Sequence, residues 1–344
     1  MIRLLPVVMI GMLCIALAGC NGGSASPPSF NTGTAAPMPT PRVVTEFSSG
    51  ISTPGRPLGI AAGADGNLWF VEVNGNNVAR ITPAGVVTEF HFGQFNAGLV
   101  GIAAGPDGNL WFTENNFNLV GRITPGGAID QFGAGITVAS GVFGITGGPD
   151  GNVWFTESRV DRVARITPGG DITEFSSGIT SNAQILNITA GPDGNVWFTE
   201  SGANRIGRIT PTGAVTEFVV GAAGGSLPFG PAPFGIAKGP DGNLWFTELR
   251  ADRVARVTPS GTITEFGAGI TPGAAPEGIT AGPDGNLWFT EPGINAIGRV
   301  TPAGVVTEFS AGITAAAGPA MIAAGSDGNI WFTEASIDRI GRLH

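Results

Sequence analysis

The string Asp-Gly-Asn-(Leu/Val/Ile)-Trp-Phe occurs seven times in this 344-residue chain, starting at Asp65, Asp107, Asp150, Asp193, Asp241, Asp284 and Asp327. The spacings are 42, 43, 43, 48, 43 and 43 residues. All seven tryptophans lie in these strings: Trp69, Trp111, Trp154, Trp197, Trp245, Trp288 and Trp331. A repeat of roughly 40–50 residues with one Trp per unit points to four-stranded propeller blades, none of which can bury its faces without its neighbours. The expected fold is all-β, a seven-bladed β-propeller.

Composition is informative against that period. Glycine (57) and proline (26) make up nearly a quarter of the chain, close to the ~25–30% at which an aperiodic sequence reads as disordered. Here they recur turn by turn, and a hydrophobic content of 42% argues for a packed core. So much glycine excludes a helical bundle, since each interior glycine costs about 1 kcal/mol in a helix. The net charge is −9 and Lys238 is the single lysine, which argues against nucleic acid as a partner.

Residues 144–175 illustrate one blade. Gly144-Ile145-Thr146 opens strand A. Pro149-Asp150-Gly151-Asn152 is a turn, with Pro presetting φ, Asp bonding the backbone and Gly taking positive φ. Val153 to Thr156 is strand B, apolar on both faces as a strand between two neighbours should be. Arg162 to Thr167 is strand C, and Ile172 to Phe175 is strand D, which alternates like a half-exposed outer strand. The last repeat stops after its strand C, and an orphan strand D, Val43 to Phe47, precedes the first. The N-terminal strand is therefore expected to complete the seventh blade and remove the ring's last open edges.

Residues 1–20 read as a lipoprotein signal peptide. Arg3 precedes an apolar run from Leu4 to Ala18, short for a membrane span of ~20 residues. The run ends in Leu17-Ala18-Gly19-Cys20, which resembles a lipobox and implies cleavage before Cys20 and its lipidation. The only other cysteine, Cys14, lies inside the apolar run, so no disulfide is expected. Residues 21–42 are a Ser/Pro/Gly/Thr/Ala-rich tether, and 43–344 the propeller. The expectation is an exported, membrane-anchored monomer of the bacterial cell envelope. It would meet the membrane through the lipid anchor only, and a small molecule, peptide or glycan on the propeller.

Chain direction orients each blade. Strand A descends from a top face to the Asp-Gly-Asn turn, B ascends, C descends and D ascends. The bottom turns are near-identical and read as folding devices. The D–A connections on top vary in length, from ten residues at His91–Val100 to sixteen at Val219–Phe234. Variable loops on a rigid scaffold are where binding tends to sit.

Twenty of the 26 acidic residues occupy repeated positions. Seven end strand B: Glu72, Glu114, Glu157, Glu200, Glu248, Glu291 and Glu334. Each is followed eight residues later by an Arg (Arg80, Arg122, Arg165, Arg208, Arg256, Arg299, Arg342), which suggests cross-strand Glu–Arg pairs. The other reading is a top-face carboxylate ring, with Glu248 and Glu291 as ligand-binding candidates. Glu277 stands outside the repeat: it precedes Gly278-Ile279, where the other blades carry Leu58, Val100, Phe143, Leu186, Phe234 and Ala320. It is a candidate base or ligand, and Phe234 a binding neighbour. Arg159, Arg250 and Phe117, in B–C loops, are further binding candidates, and His91, at a top loop, is a second catalytic candidate.

The repeats GITAGPDGNLWFTE (278–291) and RIGRITPTGAVTEF (205–218) resemble those of the virginiamycin B lyase, or streptogramin lyase, family across residues 43–344. That resemblance implies seven blades and, in active members, a carbon–oxygen lyase that opens a cyclic depsipeptide by elimination. A histidine acts as base there and Mg²⁺ as electrophile. It also implies a histidine just before the Gly-Ile of a strand A. The matching stretch here is Pro276-Glu277-Gly278-Ile279, with Glu in that place, and neither His91 nor His344 matches.

Overall fold

The structure, a computed structural model, describes residues 42–91, 93, 95–221 and 230–344. The signal-peptide and tether readings, Cys20 included, fall outside these residues, apart from Arg42. The described chain forms seven four-stranded antiparallel sheets, each a blade. Blades one to six run A-B-C-D in chain order.

Blade three shows why these residues form these strands. Strand A is Val142–Gly147, B is Val153–Glu157, C is Arg162–Ile166 and D is Ile172–Phe175. Every residue of strand B is buried, which suits its continuous apolar run. At the turn before it, Gly151 takes φ +77°. The Asp150 carboxylate accepts the Asn152 N–H (3.3 Å) and also the indole N–H of Trp154 (3.0 Å). A fully buried indole needs such an acceptor. The aspartate thus serves both the turn and the core.

Trp154 stacks on Phe175 of strand D, with centroids 5.5 Å apart. The Arg165 guanidinium lies over both rings, at 5.7 and 5.9 Å. Its Nη1 donates to the carbonyl of Pro211 in the next blade (2.9 Å). Parallel bonds run from Arg80 to Pro125, Arg122 to Pro168, Arg208 to Pro259 and Arg256 to Pro302. These arginines therefore do not face the strand-B glutamates, contrary to the sequence expectation. The register sets Trp154 opposite Arg165 and Glu157 opposite Arg162. The B–C turn takes only four residues, so the residue five along, not eight, faces the glutamate.

Closure is as expected. Val44–Phe47 pairs antiparallel with Arg339–Leu343, completing blade seven. Arg342 Nη1 donates to the Pro83 carbonyl of blade one (2.6 Å), and Phe47 stacks on Trp331 at 5.4 Å. Just before this strand, Arg42 lies over Trp288 (4.6 Å) and pairs with Asp284 (3.4 Å). The chain therefore enters the ring at its bottom face.

The strands A meet around the central axis, closer than side chains allow. A Cβ on Gly235 would lie 2.3 Å from the Glu277 carbonyl, and one on Gly278 2.8 Å from that of Ala320. At Gly235 and Gly278 a side chain is excluded by contact, not conformation. Truncating the closure stack, Phe47→Ala, should cost about 2–3 kcal/mol, the large-to-small range reduced for partial burial. Urea denaturation measures it, and an unchanged midpoint would show that the closing strand does not hold the ring.

Candidate functional site

The residue before the strand-A Gly-Ile sits at the top of the central channel. Val100 and Phe143 line an axial cavity of about 110 Å³ together with Asn187, Met321 and the strand-A glycines. Phe143 of blade three and Phe234 of blade five meet edge to face, 6.5 Å apart at 86°. Two non-adjacent blades touch through this position, so it points at the axis. Glu277 holds the same position in blade six, within a ring otherwise made of Leu58, Val100, Phe143, Leu186, Phe234 and Ala320.

Its backbone is fixed from both sides. The Glu277 N–H donates to the Thr290 carbonyl (3.0 Å), and its own carbonyl accepts the Thr247 hydroxyl of blade five (2.6 Å). The strand-B threonine serves the ring generally: Thr113 bonds the Phe143 carbonyl (2.7 Å) and Thr199 that of Phe234 (2.8 Å). Strand A of blade six pairs only over Ile279–Ala281, shorter than the six residues of the other blades. Among the described residues, no hydrogen bond or ion pair holds the Glu277 carboxyl, and burial alone pushes it up to about 7.

Asn187 is the residue that sequence reading missed. Five blades have glycine at its position; Asn187 and Met321 instead extend side chains into the channel. The Asn187 Nδ2 is buried without a partner, a cost of about 1–3 kcal/mol for a lost donor. The signal was present in Leu186-Asn187-Ile188, where the other repeats mostly read Gly-Ile.

The strand-B glutamates lie elsewhere. All seven, Glu248 and Glu291 included, are fully buried. Burial first, then the nearby strand-D glutamate, pushes Glu157 up to about 8, as for Glu200, Glu291 and Glu334. As a carboxylate, Glu157 would leave both oxygens without a donor. One proton resolves this, because the Glu157 O–H then donates to Glu174. Glu174 in turn accepts the Thr137 hydroxyl of the incoming top loop (2.8 Å) and pairs with Arg162. Against the upward push of burial, the Thr137 bonds hold Glu174 below the ordinary carboxylate range. Blade two makes the same contact with an amide, Gln131 Nε2 donating to Glu114 (2.7 Å). These groups anchor loops inside the blades.

The other sequence candidates are scattered. His91 ends the outermost strand of blade one, Val87–His91, beside Gly75, Asn76 and Phe95. It does not share the channel with Glu277, which lies on an innermost strand. Arg159 is exposed and bonded to Asn115 Oδ1 (2.9 Å), the Arg250 N–H donates to the Pro231 carbonyl (3.1 Å), and Phe117 is 43% exposed. His344 sits on the closing blade with Thr45 (3.1 Å).

Among the described residues, no three His, Cys, Asp or Glu side chains are arranged to hold a metal ion. Magnesium demands near-octahedral oxygen ligation, and the channel mouth offers one carboxylate and one amide among apolar side chains. These donors do not fit a protein-held Mg²⁺.

The virginiamycin B lyase family model matches residues 40–230 and 139–344, and so covers the propeller. The chain belongs to the virginiamycin B lyase family. A streptogramin B lyase structure superposes with a TM-score of 0.80 at 34% identity, covering 88% of this chain and 97% of that one. Virginiamycin B lyase from Staphylococcus aureus does so with the same score at 38% identity, covering 88% and 99%. A catalytically inactive histidine-to-alanine variant of the S. aureus enzyme, in a structure with quinupristin, matches equally well. No curated protein sequence matches the chain. This member of the virginiamycin B lyase family carries a glutamate, Glu277, at the ring position where its other six blades are apolar.

The protonated strand-B glutamates set a pH dependence. The folded state holds the protons of Glu157, Glu200, Glu291 and Glu334 up to about 8, whereas an exposed glutamate releases its proton near 4.5. This contribution is therefore complete below about 4.5 and is lost as pH rises through about 8. The Tm should fall between pH 5 and pH 9. Glu157→Gln, which copies the amide–carboxylate pair of blade two, should lessen the fall. Thermal melts across this range check both, and a Tm independent of pH would mean that these carboxyls are ionised.

Proposed function

We propose that this protein is an exported, lipid-anchored propeller of the cell envelope that binds a small molecule or short peptide at the top mouth of its channel. The observation that carries this reading is the mouth itself. Val100, Phe143, Met321 and Asn187, with its unpartnered amide donor, line a preformed cavity there, and Phe234 and Glu277 hold further positions of the same ring, Phe234 in contact with Phe143. Apolar pockets with a few placed polar groups are the ordinary form of small-ligand sites.

A second reading has its own support. Family membership, together with a carboxyl poised near neutral pH in the place of the lyase histidine, favours Glu277 as the base of a depsipeptide elimination. The base would take the proton α to a carbonyl as the ester oxygen departs with the bonding pair. Among the described residues, the donors at the mouth do not fit a protein-held Mg²⁺ and His91 lies on an outermost strand, which makes binding the stronger reading.

Incubation with quinupristin and Mg²⁺ separates the two. Binding without turnover is expected; a linearised product that disappears in Glu277→Gln would establish the lyase instead. Asn187→Gly should leave the Tm unchanged or slightly raised, because five blades carry glycine there, while weakening binding. A large loss of stability would make Asn187 a structural residue. Labelled palmitate should be incorporated during expression in bacteria and lost in Cys20→Ser; incorporation that persists would place the lipid elsewhere.

A further inference from the structure

We propose that the channel mouth selects a cationic ligand, an ammonium group on an apolar body, with the cation against Glu277 and the apolar part against Phe143 and Phe234. This rests on the mouth being a binding site and adds the chemical class of what it binds.

Among the described residues, Glu277 has no counter-charge. Glu277 is the one ionisable side chain in a ring of seven positions, and the other six are hydrocarbon. Among the described residues, no neighbouring charge acts on the Glu277 carboxyl, Arg250 of the blade-five B–C turn, which has its own interaction, included, and the charged groups of blades five and six have other places. Glu291 and Glu248 are sealed within their blades. Asp252 accepts the N–H groups of Gly273 and Ala275 (2.8 and 2.9 Å). Lys238 lies at the far, bottom end of strand A of blade five. Arg253 pairs with Glu265, and Arg256 reaches Asp241 at 3.7 Å.

A carboxyl so placed has two ways to avoid an unpaired buried charge. It holds a proton, or it meets a cation brought from outside. An anionic ligand would meet repulsion, and a neutral one would leave the carboxyl protonated. A cation gains a strong, poorly solvated partner. Aromatic rings add to this, because their π-systems attract cations and their surfaces accept the ligand's apolar body. Phe143 and Phe234 supply such rings in the same ring of positions.

The pairing has a pH signature. The cation binds the ionised carboxyl, so its affinity rises with pH until Glu277 is fully ionised. With that carboxyl held at about 7, affinity at pH 6 should be roughly tenfold below that at pH 8.

Phenethylamine and 2-phenylethanol test the inference, because they share a body and differ in charge. Titrated against the full chain by calorimetry at pH 8, the amine should bind at least tenfold more tightly. Its advantage should nearly vanish at pH 6. Glu277→Gln and Glu277→Leu should bind the two probes alike at either pH, and leucine already occupies this position in blade one, so folding should be retained. Equal affinities in the wild type, or a preference that persists in both variants, would overturn the inference and leave the mouth a binding site for neutral molecules. Failure of both probes to bind would overturn the binding reading as well.

Discussion

The structure depends on a bond repeated in every blade, the turn aspartate accepting the indole N–H of the buried tryptophan. Asp150 and Trp154 make it at 3.0 Å, Asp193 and Trp197 at the same distance. The bond fixes the turn and satisfies the one polar atom of the largest core side chain. It also presents the indole face to a strand-D phenylalanine and a strand-C arginine. The arginine then reaches a proline carbonyl in the next blade. A local turn is thereby linked to the spacing between blades, and that spacing brings the strands A so close at the axis that five of the seven carry glycine there.

The same repetition explains where function can sit. A group present in every blade is committed to building the ring. The strand-B glutamates look like a top-face carboxylate ring in sequence, yet each is buried, and among the described residues the strand-D glutamate of five blades accepts from a top loop. What remains are departures from the repeat. Glu277, Asn187, Met321 and the Phe143–Phe234 pair are such departures, and register gathers them at one end of the channel. His91 is also a departure, but strand D carries it to the rim.

Most of the fold was legible because the period, the turn residues and the transposed strand Val44–Phe47 each follow from local chemistry. Glu277 was legible for the same reason, as a charge where its six counterparts are apolar. The Arg–Glu pairing was misread because spacing along a hairpin does not reveal how many residues the turn consumes. Four residues in the B–C turn put Arg165 beside Trp154 rather than Glu157. Asn187 was missed because replacement of one glycine looks minor until the close approach of the strands A shows what a side chain there must enter. The contact of Phe143 with Phe234 joins blades three and five across the axis, and no local pattern encodes it.

Glu277 is partly buried and, among the described residues, its carboxyl has no partner. A carbon-detected NMR titration of glutamate side-chain carboxyls, assigned with Glu277→Gln, tests it most directly. The expected result is a resonance that titrates with a midpoint of about 7 and is lost in the variant. A midpoint for Glu277 at the ordinary 4.5 would place the carboxyl in open water and remove the desolvated carboxyl from the channel mouth.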